Sequence, residues 1–320
     1  MTDQLYDCIV IGAGPAGLSA SLFLARYRRR VLTFHHNSPR NIYSHGVHGF
    51  LGYDGIPPTK LLTRGREEVE SYGGFVEEGC VTHVERIGDE RFRVTAGELG
   101  GEQGGEAGRD SVQSFDARRL VLATGLRDLT PDCPGFREFY GLSVHHCPDC
   151  DGFEATGKRL VVLGNGKKTV SFALGLLTWT DKLTLVTGGD PDDMTAEHRA
   201  RLESLGIPVL DRAIVALEGD TKAGLLERAR LDDGGALECD ALFFNLGTVP
   251  ASNLHETLGC RLDPECGLVW VDEDQQTSVP GVYAAGDLTP RSQLAVVAAA
   301  EGAMAAIHVH KSLIPESQRV

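Results

Sequence analysis

Two runs of strand, glycine turn, helix and strand, at residues 8–34 and 159–187, predict an α/β chain with two Rossmann-like dinucleotide-binding units. The length of 320 residues and an apolar fraction of 42% supply enough material for two cores. Strands at 120–123 and 241–244 each end in a turn, at Thr124-Gly125 and Gly247-Thr248, where the chain is expected to cross between units. The first unit is therefore expected to be discontinuous, over 1–118 and 249–320, with the second inserted over 119–248.

The first run opens with the apolar strand Cys8 to Ile11, turns at Gly12-Ala13-Gly14-Pro15-Ala16-Gly17, and continues as a helix through Leu18, Leu22, Leu24 and Ala25. Gly12 permits the tight turn, Gly14 lets a pyrophosphate approach the backbone, and Gly17 allows close packing of helix on strand. An anion held there rests on helix N-terminal amides. The next strand, Val31 to Phe34, ends in His35-His36, where an acidic residue would ordinarily hold a ribose hydroxyl. His35 can donate or accept a hydrogen bond there, and it can equally be a solvated strand end. Arg40 and Asn41 follow as candidates for phosphate or ribose contacts.

The stretch from Ala96 to Ser114 is rich in Gly and Glu and reads as an exposed loop or hairpin insertion. The second run begins at Arg159 to Leu163, turns at Gly164-Asn165-Gly166-Lys167-Lys168-Thr169, forms a helix to about Leu177, and returns through Lys182 to Thr187. Near the end, Val282-Tyr283-Ala284-Ala285-Gly286-Asp287 is a strand entering a turn, and residues 294–313 form an Ala-rich helix.

The formal charge of −14 argues against general nucleic-acid or anionic-membrane binding, because both need a basic surface. The polar first residues run straight into a strand and no apolar stretch is long enough to span a bilayer, so a soluble cytoplasmic protein is expected. In that setting Cys8, Cys80, Cys133, Cys239, Cys260 and Cys266 read as core hydrophobes or inert thiols.

Cys147-Pro148-Asp149-Cys150-Asp151-Gly152-Phe153 carries the chemistry. Two intervening residues bring the sulfurs within reach of one another, and a helix starting there would lower a thiol pKa through its dipole. Asp151 can deliver or remove the exchanged proton, and can equally cap the next segment. The charge of Asp149 opposes thiolate formation. A zinc site built from His145, His146, Cys147 and Cys150 is the structural alternative, although no second ligand pair is visible.

These motifs, an N-terminal GxGxxG, a central Cys-x-x-Cys-Asp-Gly-Phe and a late Ala-Ala-Gly-Asp followed by a glutamine, resemble the low-molecular-weight thioredoxin reductase family in order and over nearly the whole chain. The resemblance implies FAD in the first unit, on Gly12, Gly14, Pro15, Ala16 and Gly17, with Thr124 and Gly125 at the crossing. It places Gly286 and Asp287 near the ribityl phosphate and Gln293, Leu294 and Ala295 near the isoalloxazine. It also implies that Cys150 faces the flavin, Cys147 exchanges with the partner, and Asp151 is the general acid. A thioredoxin-like protein or small disulfide or dithiol is the implied substrate, and a homodimer the implied assembly.

The chain departs from that family at three places. Ser292 replaces the arginine that commonly precedes Gln293. Thr169 stands where a smaller residue is usual. After the strand at 182–187 the chain reads Thr187-Gly188-Gly189-Asp190 in place of the basic cluster that holds a 2′-phosphate. Without those guanidinium groups NADPH is expected to be a poor donor. NADH or a second flavin at the Gly164 to Gly166 loop stays open, as does a unit that binds nothing and only supports the cysteines. Relatives of this kind draw electrons from ferredoxin or another flavoprotein, or pass them from dithiols to oxygen. The readings carried forward are a disulfide oxidoreductase, an oxygen-using dithiol oxidase, and a flavin-binding redox sensor without turnover.

Overall fold

The computed structural model describes residues 5–97, 112–189 and 194–318. Its first part runs β1 (Leu5–Ile11), α1 (Pro15–Arg26), β2 (Val31–His35), α2 (Pro58–Ser71), β3 (Phe75–Glu78), β4 (Cys80–Gly88), β5 (Arg91–Gly97) and β6 (Gln113–Leu122). A short β7 (Leu126–Asp128) leads to α3 (Phe136–Phe139), β8 (Val144–His145), α4 (Pro148–Asp151), β9 (Leu160–Gly164), α5 (Gly166–Leu176), β10 (Leu183–Val186), α6 (Ala196–Ser204) and β11 (Val209–Leu210). The meander β12 (Ile214–Asp220), β13 (Leu225–Leu231) and β14 (Ala236–Glu238) precedes β15 (Ala241–Asn245), β16 (Thr248–Pro250), α7 (Leu254–Thr257), β17 (Val282–Ala284) and α8 (Ala295–Ser312).

Both glycine-turn runs are parallel βαβ units. β1 lies between β2 and β6 in a sheet ordered β3-β2-β1-β6-β5-β4, with β17 also on β6. The second sheet is ordered β11-β10-β9-β15-β8. Every strand of that second sheet is parallel to its neighbours, and β9 and β15 are almost wholly buried, as expected for strands covered on both faces. Leu120 to Leu122, on the far side of the expected boundary at 118/119, pair with β1 and β17 and so belong to the first sheet. The chain passes between the sheets at an antiparallel ribbon of β7 and β16, just beyond Thr124-Gly125 and Gly247. Of the Gly- and Glu-rich stretch, residues 98–111 lie outside the described residues; its flanks are the antiparallel strands β5 and β6.

Close approach explains the glycines that matter most. A Cβ at Gly17 would lie 1.8 Å from the Gly12 carbonyl oxygen, and one at Gly302 on α8 would lie 2.0 Å from that of Ala16. α1 and α8 can therefore pack backbone to backbone over the buried alanines Ala16, Ala20, Ala298, Ala305 and Ala306. That contact holds the glycine turn against the end of β17. No helix among the described residues is long and apolar enough to cross a membrane.

Gly302→Val should lower the urea midpoint by the equivalent of about 3 kcal/mol, the upper range for overpacking a tight core. An unchanged midpoint would contradict the packing account.

Candidate functional site

A cavity of about 1040 Å³ runs from the first glycine turn to the cysteine pair. Gly12, Gly14, Pro15, Ala16, His35, Arg40, Asn41, Thr124, Gly125, Gly286, Asp287, Gln293, Leu294 and Ala295 all line it, as do Cys147, Cys150 and Asp151. Gly17 alone of the expected contact residues is off the wall, lying beneath the turn where it serves packing. Residues from opposite ends of the sequence meet there because β1, β6 and β17 end side by side.

The wall suits a dinucleotide. A Cβ at Gly14 would meet no atom within 4 Å, so the backbone there is bare toward the cavity. The N-terminus of α1 carries no side-chain cap, leaving its amides for an anion. His35 Nδ1 is buried with no protein partner, and burial, with the Arg66 charge, lowers its pKa, so a neutral ring faces the site. These features of the wall fit FAD.

At the far end Cys147 and Cys150 are joined as a disulfide, with Cα atoms 5.2 Å apart. Both sulfurs being committed to each other, they offer no thiolate pair to zinc in this state, and no metal-ligating cluster occurs among the described residues. The helix expected after the pair is a single turn, α4, with Cys147 as its N-cap and Cys150 inside it. It gives way to a run of turns over 152–157, and a Cβ at Gly152 would lie 2.7 Å from the Trp179 ring. A helix this short has little dipole, so the expected dipole effect on the thiols is small. Asp151 closes α4 and caps no following helix.

Asp151 instead faces His145, whose Nδ1 lies 3.3 Å from Oδ1, with both side chains largely buried. β8 holds His145 beside Phe243 of β15, so the imidazole fixes the carboxylate next to Cys150. In the sequence His145 stood out only as a zinc candidate.

Arg40 is more central than its sequence suggests. Its guanidinium grips Asp128 through both Nε and Nη2, and donates from Nη1 to Asp287 Oδ2 at 2.9 Å and Gln293 Oε1 at 2.7 Å. Its guanidinium is thus spent on Asp128, Asp287 and Gln293 at the cavity wall. Tyr140 OH donates to Asp128 at 2.6 Å and stands 3.4 Å from His146 Nδ1. Burial alone would raise the Asp128 carboxyl, but the Arg40 hydrogen bond, the His146 and Arg40 charges and the tyrosine outweigh it and hold the group below its ordinary 3.8. Burial, reinforced by Arg40 and opposed by Asp128, lowers the pKa of His146, keeping a neutral imidazole beside Cys147. Asp128 and Tyr140 were not singled out in the sequence, since nothing local marks a carboxylate that pairs 88 residues away.

Of the other cysteines, Cys80 and Cys133 are half-buried, and Cys80 lines the cavity. Cys8, Cys239 and Cys260 are buried, and burial pushes Cys239 up to about 12. Cys266 is exposed and donates to Asp263.

A glycine-cradled dinucleotide cavity ending at a dithiol pair defines a flavin-dependent oxidoreductase acting on sulfur. The match to the pyridine nucleotide-disulphide oxidoreductase model spans residues 6–302, and the chain belongs to that family, among its thioredoxin reductase-like members. It is 28% identical to the thioredoxin reductase of Treponema pallidum, over 98% of both chains. Among solved structures, HlmI superposes with a TM-score of 0.87 at 36% identity, covering 98% of this chain and 94% of that one. The putative thioredoxin reductase TrxB from Bacillus anthracis superposes at 0.86 with 30% identity, over 96% and 98%.

Since the carboxyl of Asp128 titrates lower when folded, its stabilising effect is complete above the ordinary carboxylate range and is lost as pH falls through the folded value. The Tm of the wild type should therefore exceed that of Asp128→Asn at about pH 6, and the gap should close toward about pH 2. A gap that is constant across that range would contradict the pairing.

Proposed function

We propose that this protein is an FAD-dependent disulfide oxidoreductase in which Cys147 and Cys150 exchange two electrons with the flavin and then with a thioredoxin-like protein or a small disulfide or dithiol. The observation that carries the reading is that the disulfide and the glycine turn lie on the wall of one cavity. FAD, when bound, supplies the two-electron couple. Cys150, held in α4 beside Asp151, is the sulfur on the flavin side, and Cys147, at the N-cap, is the interchange sulfur. Asp151, steadied by His145, holds the proton that leaves or joins the pair. Arg40 keeps Asp287 and Gln293 oriented at the flavin end.

NADPH is not the donor in this reading. Asn165 caps α5 through its own side chain, taking the Gly166 amide that a phosphate would use. Thr169 is fully buried against Gly164, and its hydroxyl donates to the Asn165 carbonyl at 2.7 Å. Beyond β10, Thr187-Gly188-Gly189 offers no guanidinium, and the nearby Arg199 and Arg212 are tied to Asp211 and Asp233. Asp190 lies outside the described residues. A ferredoxin or another flavoprotein is the donor class this favours, with NADH or a second flavin as the remaining nucleotide options. The same features favour a second reading, a dithiol oxidase that passes electrons to oxygen. In either case we place the division between units at the β7/β16 ribbon, the protein in the cytoplasm, and its assembly as a homodimer.

Cys147→Ser and Cys150→Ser should each reduce turnover by at least about a thousandfold while leaving the protein yellow. Full activity in both would sink the mechanism. Anaerobic mixing with NADPH, NADH and reduced ferredoxin should bleach the flavin slowly or not at all with NADPH; rapid bleaching by NADPH would overturn the donor assignment.

A further inference from the structure

Cys147 also lines a second, smaller cleft of about 300 Å³, which Cys150 does not reach. Arg291, Ser292 and Gln293 form one side of it and Pro148 and Asp149 the other. His146, Cys147, Gln293 and Leu294 line both spaces, whereas Cys150 lines the dinucleotide cavity alone. A molecule in the cleft lies against Cys147.

The two sides of the cleft carry opposite charges. Asp149 and Arg291 are both exposed. The Arg291 Nε lies 3.8 Å from Glu301 Oε1, beyond hydrogen-bond distance. Glu301 spends its other oxygen on the Gly286 amide and the Thr289 hydroxyl. Arg291 is left as a planar cation able to take a carboxylate in a two-pronged hydrogen bond. The short Ser292 beside it leaves room for that group.

Resting on the proposed function, we infer that this cleft is the substrate site and that Arg291 selects small dithiols or disulfides bearing a carboxylate at one end, the other end being kept uncharged or cationic by Asp149. In the dithiol direction a substrate thiolate attacks Cys147 Sγ and releases Cys150 as thiolate. The second substrate thiolate then closes on the first sulfur and releases Cys147. One protein S–S bond and two substrate S–H bonds break; one substrate S–S bond and two protein S–H bonds form. The electron pair passes to the protein dithiol, so no further oxidant enters this step.

Dihydrolipoate and dihydrolipoamide share one dithiol and differ only in the carboxylate. Each is mixed anaerobically with the FAD-loaded protein at limiting concentration, and both flavin bleaching and the cyclic disulfide formed per chain are measured. The wild type should react about tenfold faster with dihydrolipoate, and Arg291→Gln should bring the ratio of the two rates close to one. Arg212→Gln, which removes one positive charge that does not line the cleft, should leave the ratio at its wild-type value. Equal wild-type rates, or a ratio that survives Arg291→Gln, would overturn the assignment of Arg291 while leaving the disulfide mechanism standing. If neither dithiol forms a cyclic product or bleaches the flavin, whereas dithionite does, the functional reading fails and this inference with it.

Discussion

The grip of Arg40 on Asp128 is the interaction on which the arrangement of the site depends. Arg40 follows β2 in the first sheet, and Asp128 ends β7 in the ribbon through which the chain leaves it. Tyr140 adds a donor from the second unit to the same carboxylate, and His146 adjoins both. A loop from one nucleotide-binding unit, the crossover ribbon and the segment leading to Cys147 are thus tied at one carboxylate that is only 6% exposed. A buried charge of that kind is costly unless fully partnered, so the partners are held to a narrow geometry.

From that tie the rest of the site follows. With β8 and α4 fixed relative to β17, the disulfide closes the end of the cavity that begins at Gly12. His145 and His146 then fall on different tasks despite being neighbours: one orients Asp151, the other sits against Asp128 and Tyr140. Asp149, the residue that looked chemically awkward between the cysteines, is exposed on the cleft side, where its charge is solvated.

The parts legible in the sequence were those encoded locally. Strand, glycine turn and helix in succession specify a βαβ unit, and the contact that requires Gly17, with the Gly12 carbonyl, lies within the same turn. The spacing of Cys147 and Cys150 likewise announces itself. Pairings over long sequence distances did not: Asp128 and Tyr140 look like ordinary loop residues, and nothing local marks Arg40 as the partner of Asp128.

The central claim is that one sulfur pair and one flavin form a single electron-accepting unit. An anaerobic dithionite titration of the FAD-loaded protein counts its electrons directly. Uptake of about four electrons per chain in the wild type, falling to about two in Cys147→Ser, is what the coupled unit requires. Uptake of about two in both proteins would mean that the sulfurs take no part.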